Sequence, residues 1–332
     1  MNNDKIPRVV QDPRFRAGRS LMQKGKTAGA VEIFASLLEE ARATFGEASI
    51  ESAPAYYEYG NSLFRDSLSE EENTEEDAAK VDPREAAALA AERRRNGADP
   101  DADKKPTAKP SADEVFQETA KEEEEEEEEE NDAQLALEMM ETAWSIVDQY
   151  ILTETESKQY LEWAEEQSPR YLIGIGDILM ALERYADAAD AYSRSLELRG
   201  EFLQKFDPKE TSLAHLKCRR LIVEALILIA EAFLAAPEGE DMVTTETKAV
   251  LVKADERIDY ARGYYDKARD EFQETILLMG EMAAKGFDVA EEKEDICFVS
   301  TMVMGVGMKL AELDEIAESN SSDPPKKKSK VA

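Results

Sequence analysis

Residues 18–37, GRSLMQKGKTAGAVEIFASL, and residues 176–195, GDILMALERYADAADAYSRS, decide the fold of this 332-residue chain. Gly18, Ala30, Phe34 and Leu37 stand at offsets 0, 12, 16 and 19, and Gly176, Ala188, Tyr192 and Ser195 repeat those offsets. A small residue on one helix lets a second helix approach closely. An alanine and an aromatic four residues later on that second helix then fill the contact. Lys24-Gly25-Lys26-Thr27 and Glu183-Arg184 are gaps short enough to join antiparallel helices.

This is the tetratricopeptide pattern, a helix–turn–helix unit that stacks into a solenoid. Two further copies emerge once insertions are allowed. Tyr56, Tyr59, Gly60 and Leu63 read as the first helix of a repeat, and Ala136, Met140 and Ala143 as its second helix, 76 residues beyond Gly60 instead of 12. A fourth copy pairs Ile229, Ala230, Ala232 and Phe233 with Ala268, Phe272 and Thr275, with an insertion near Pro237–Thr247. Ile296–Ile316 would cover the end of the stack. Ser168 before Pro169 reads as an N-cap followed by proline at the first helical position. No β-branched alternation between turn residues marks a strand. The expected fold class is all-α: a tetratricopeptide-repeat superhelix of about four helical hairpins plus a C-terminal capping helix.

The stretch from Asp66 to Asp132 breaks this pattern. It holds 26 acids and nine bases, a net of −17 against −33 for the whole chain, with Phe116 its single aromatic. Such a segment buries too little apolar area to offset chain entropy and is expected to be disordered, apart from a short Ala-rich helix around Pro83–Arg95. The expected organisation is 12–65 for the first repeat and half of the second, 66–132 for the acidic insert, 133–318 for the remaining repeats and cap, and 319–332 for a polar tail.

Charge and composition exclude several classes of function. With 74 acids against 41 Lys and Arg, the chain repels nucleic acid and suits a basic partner. One histidine, His215, rules out a multi-His zinc site, and His215 with Cys218 supplies only two ligands. Cys218 and Cys297 lie in helical patterns and read as free thiols of a reducing compartment. Leu221–Ala236, interrupted by Glu224 and Glu231, is too short and charged to span a bilayer, and Met1–Val10 lacks the apolar core of a signal peptide. A soluble, intracellular protein is expected. Gly25-Lys26-Thr27 imitates the end of a P-loop but has Ser20 where the loop needs glycine, and Gly174–Gly176 lacks the third glycine of a dinucleotide fingerprint. No enzyme constellation and no cofactor site emerges.

The acidic run itself, Glu122, Glu123, Glu124, Glu125, Glu126, Glu127, Glu128, Glu129 and Glu130, is either a solvating spacer or a polyanion that captures a polycation. With a Debye length of about 8 Å at physiological salt, it speeds encounter more than it fixes a pose. Near the other end, Pro324-Pro325 precede Lys326, Lys327, Lys328 and Lys330, the pattern of a nuclear localisation signal that meets the acidic groove of an import receptor.

Four repeats with the second split by an acidic tract resemble the nuclear autoantigenic sperm protein family of histone chaperones. The residues that carry the likeness are Arg14–Leu38 (RFRAGRSLMQKGKTAGAVEIFASLL), Tyr56–Leu63 (YYEYGNSL), Leu135–Ala143 (LALEMMETA), Ile173–Leu198 and Tyr265–Phe272 (YDKARDEF). The resemblance implies an ATP-independent chaperone of histones H3 and H4, with linker histone a further candidate cargo. It also implies that acids on the first helices of the third and fourth repeats contact H3, which places those roles on Asp177 and Glu224. The family's second acid falls on Ala181 and its groove aromatic on Ile227, two departures. The other reading of such repeats is a carboxylate-clamp co-chaperone adaptor, which would need Lys and Asn where this chain has Phe15 and Arg19.

Overall fold

A computed structural model describes residues 5–79, 112–153, 159–207, 210–244 and 250–321. The chain divides into two compact units, Met1–Tyr160 and Leu161–Ala332. The lysines at 326–330 and the Ala-rich piece at 83–95 lie outside the described residues.

In unit 1 a short α1 (Arg8–Gln11) leads into α2 (Pro13–Gln23), α3 (Thr27–Phe45), α4 (Ala53–Ala79) and α5 (Ala112–Leu152). Asp12 caps α2 by accepting from the Arg14 amide at 2.8 Å, with Pro13 at the first helical position, where no amide is needed. Gly25 turns the chain into α3 at φ +67°, a left-handed conformation that glycine adopts freely. Phe34 is fully buried over Gly18, where a Cβ would lie 2.6 Å from the ring's Cζ. The second hairpin closes across the acidic insert: a Cβ on Gly60 would meet the Ala136 carbonyl at 2.7 Å and Met140 Cγ at 3.1 Å. The two halves of the split repeat therefore pack as one.

The helices bordering the acidic segment differ from expectation. Thr27 Oγ1 donates to Asp66, tying the first residue of that segment to α3. The backbone of α4 stays helical to Ala79, and α5 is helical from Ala112 through the glutamate run. Glutamate is a good helix former, and propagation from a packed helix adds one bond per residue without a new nucleus.

Unit 2 contains α6 (Leu161–Ala181), α7 (Tyr185–Leu203), α8 (Leu213–Ala235), β1 (Met242–Thr244), β2 (Val250–Val252), α9 (Arg257–Ala284) and α10 (Ala290–Ser321). Helices α6 to α9 pack in sequential pairs, and α10 lies on both α8 and α9. Here α8 is the core helix, with Leu216, Val223, Ile227, Ile229 and Ala230 wholly buried.

Three expectations are corrected here. Ser168 does not cap a helix: α6 begins at Leu161 and carries Pro169 in its interior. Buried Trp163 and Ala164 anchor the extra turns, and the Pro169 carbonyl accepts a 2.7 Å bond from Ser195 Oγ. Strands do exist: β1 and β2 pair antiparallel, with Met242 opposite Val252, and three-residue strands are too short to show alternation. In the fourth hairpin Tyr264, not Phe272, stacks on Phe233 (centroids 6.0 Å apart), while Phe272 joins the cluster of Leu216, Met282 and Ile296. Among the described residues one segment, Glu292–Ile316 of α10, is long and apolar enough to cross a bilayer by length and composition. Its Ile296, Val299, Val303, Val306 and Leu310 are buried at alternating spacings of three and four, the stripe of a helix packed on its neighbours.

Candidate functional site: carboxylates on the first helices of unit 2

The first helices of the unit 2 hairpins, α6 and α8, each carry a partly exposed stripe. On α8 that stripe runs Lys217, Leu221, Glu224, Leu228 and Glu231, at helical spacing. Lys217 Nζ reaches Glu166 of α6 at 3.6 Å, which links the two stripes.

Asp177 is exposed on α6, directly after the glycine under Tyr192. Tyr192, 1% exposed, donates its hydroxyl to Asp177 Oδ1 at 2.8 Å. Burial, then the charge and hydrogen bond of Asp177, and then the charge of Glu231 hold the Tyr192 hydroxyl far above the usual phenol range. The proton stays on tyrosine, and Asp177 is an oriented acceptor for it. Glu231 sits close enough for its charge to act on that hydroxyl, and its own carboxyl is pushed up by burial against the pull of Lys309 on α10.

Glu224 has different surroundings. Its carboxylate lies 4.0 Å from Arg220, whose guanidinium also reaches Glu292 at 3.2 Å and Asp295 at 2.9 Å on α10. Arg220 is nearly buried and gathers three acids. The two residues that the family resemblance singles out thus have separate local partners, Tyr192 for Asp177 and Arg220 for Glu224. Glu231, one face and two turns along α8 from Glu224, is the acid that shares the Asp177 environment. The i, i+7 spacing of Glu224 and Glu231 was the sequence signal for it. Ala181 is exposed, and Ile227 is wholly buried in the core of α8, so neither replaces the family's acid or aromatic.

Other singled-out residues find structural places. His215 is buried, stacks on Phe206 at 5.2 Å, gives its Nδ1 proton to the Glu210 carbonyl and accepts from Arg219 Nε at Nε2. Cys218 is a buried thiol pushed up to about 11 by burial, and Cys297 is an exposed free thiol. Among the described residues no group of three His, Cys, Asp or Glu is placed to hold a metal ion. At the positions a carboxylate clamp would use, Phe15 is 4% exposed and edge-on to Phe34, and Arg19 is paired with buried Glu58 at 3.6 Å. For the run Glu122–Glu130 the structure describes the helical backbone alone.

No protein-family model matches the chain, and no curated protein matches it. Among solved structures it is similar to the yeast histone chaperone Hif1, described as a scaffold protein recruiting protein complexes to core histones. The two are 12% identical over 89% of this chain and 93% of that one, with a TM-score of 0.43. That likeness is too loose to assign a function.

Proposed function

We propose that the protein is an ATP-independent histone chaperone that binds H3, alone or with H4, and escorts it toward nucleosome assembly in the nucleus. Linker histone is a further cargo of the same chemistry, and the lysines at 326–330 are the address read by an import receptor. The observation that carries the reading is the Asp177 carboxylate, exposed to solvent yet fixed by the buried Tyr192 hydroxyl, on which the charge of Glu231 also acts. A preorganised carboxylate loses little rotamer freedom when an arginine or lysine docks, so its hydrogen bond contributes more to affinity and orientation than a mobile one. Glu224 adds negative potential at the Arg220 node, and the glutamate run gathers polycations from solution. The clamp reading is disfavoured because Arg19 is already engaged by Glu58 and Phe15 belongs to the core.

The test is a binding series with the full chain against H3–H4, a helical H3 peptide lacking the basic tail, and linker histone at 0.15 M salt. Asp177→Asn with Glu224→Gln keeps the Tyr192 acceptor and avoids placing a cation beside Arg220. That pair should weaken the H3 peptide by about 1–3 kcal/mol. Unchanged affinity removes both residues from the site, and equal affinity for H3–H4 and for an unrelated basic protein overturns the reading.

A further inference from the structure

Unit 1 carries a second acidic surface, built by the second helices of its hairpins. Helices α3 and α5 both pack on α4, and the groove between them is floored by Tyr56 and Tyr59 of α4. Glu58, on another face of α4, points away toward Arg19. Two cavities occupy the groove: about 480 Å³ beside Tyr59 and Glu39, and about 690 Å³ beside Tyr56, Glu138 and Glu141. Arg42 and Glu47 line both cavities, so their ion pair stands between the two. Glu39, Glu138 and Glu141 are exposed and have no ion pair among the described residues. The rim therefore sets four carboxylates against one guanidinium, over an aromatic floor.

We propose that this groove docks a lysine- or arginine-rich segment of a partner protein, with the aliphatic stems over Tyr56 and Tyr59 and the charged heads on the rim carboxylates. Charge selects the occupant: an acidic chain or a nucleic acid is repelled, whereas long basic side chains satisfy both floor and rim. Cavities of these volumes hold a few such side chains. The approach is guided as well. Glu138 lies eight residues past Glu130 on one continuous helix, about 12 Å along its axis. A polycation caught on the glutamate run thus reaches the groove by moving along α5. Both members of the Arg42–Glu47 pair are largely exposed, so an incoming cation can take Glu47 from Arg42 at little cost. Arg42 then acts as a competitor built into the site.

The site is tested on the full chain in a background with Glu122–Glu130 changed to Gln, Asp177→Asn and Glu224→Gln. This background silences the run and the unit 2 acids, so the unit 2 reading stands or falls separately. The probe is a fluorescein-labelled amphipathic helix of lysine and leucine at 0.15 M salt. Glu138→Gln with Glu141→Gln should weaken binding about fivefold, and Arg42→Ala should tighten it by two- to fivefold, about the worth of one exposed charge pair. Zero-length carbodiimide cross-links from probe lysines should map to Glu138 and Glu141. Arg42, Glu138 and Glu141 are at exposed positions, and circular dichroism checks that the helices persist in the background and in each variant. Binding unchanged within twofold in both variants, weaker binding by Arg42→Ala, or cross-links no richer at Glu138 and Glu141 than at exposed Glu32 and Glu40 overturns the proposal.

Discussion

Gly176 lies directly beneath the ring of Tyr192: a Cβ added to the glycine would fall 2.6 Å from the ring's Cδ1 and 2.7 Å from its Cζ. Tyr192 cannot yield, because it is buried and its hydroxyl is held by Asp177. Gly176→Ala should therefore destabilise the protein by about 1–3 kcal/mol. Gly200→Ala on α7, where an added Cβ meets nothing within 4 Å, should be neutral or stabilise by up to about 1 kcal/mol. Urea midpoints of the two variants check this, and equal destabilisation would contradict the packing account.

The hairpin turns predict a stabilising change. Seven residues after Gly18 stands Gly25 at φ +67°, and seven after Gly176 stands Glu183 at φ 57°, the one described non-glycine residue with positive φ. Glu183 bears a left-handed strain that glycine relieves. Glu183→Gly should gain about 0.5–1 kcal/mol, read as a rise in thermal midpoint.

Stability should fall at alkaline pH. Burial, aided by the bond to Glu51, pushes the Tyr160 hydroxyl up to about 12, and Tyr192 is pushed up further in the same direction. Unfolded tyrosines release protons near pH 10, while these two keep theirs in the folded state. The folded state then holds more protons than the unfolded one, so stability declines from about pH 10 through pH 12. Tyr160→Phe and Tyr192→Phe should each flatten that decline in denaturant titrations between pH 8 and 11.

Arg220 is the electrostatic keystone joining α8 to α10. Arg220→Met leaves Glu224, Glu292 and Asp295 facing one another with their shared cation gone, and should cost about 3 kcal/mol. Arg262→Met breaks a solvent-exposed pair with Asp314 and should cost less than about 1 kcal/mol. Chemical denaturation of both separates a buried node from a surface pair.

Replacing Glu122–Glu130 with Gln should slow association with H3–H4 by about tenfold and make the rate less sensitive to salt. Discrimination between H3 and other basic proteins should survive, because a screened charge run steers encounter without fixing a pose. Stopped-flow measurements across ionic strengths decide this, and loss of discrimination would place specificity in the run itself.

The sequence alone determined the hairpins. A glycine facing a bulky side chain, with alanine four residues before that side chain, is a demand of close helix packing that must be met at fixed spacing. It stayed legible even where 76 residues separate Gly60 from Ala136. The sequence also located the charge imbalance, and the family resemblance pointed to Asp177, an acid the structure leaves exposed. It did not reveal that α6 runs through Pro169, because burial of Trp163 and Ala164 outweighs one lost helix bond. Nor did it show the β1–β2 ribbon, too short for a period, or the move of the fourth-hairpin stack from Phe272 to Tyr264.

Only the tertiary structure decided which acids work together. Arg220 meets Glu292 across 72 residues and Glu39 shares a groove system with Glu138 across the acidic insert. Helical periodicity fixes the face a side chain occupies, but the neighbour it meets depends on how distant helices stack. Charge neutralisation acts through space at a few ångströms, so the partner of a carboxylate is set by packing and not by sequence spacing.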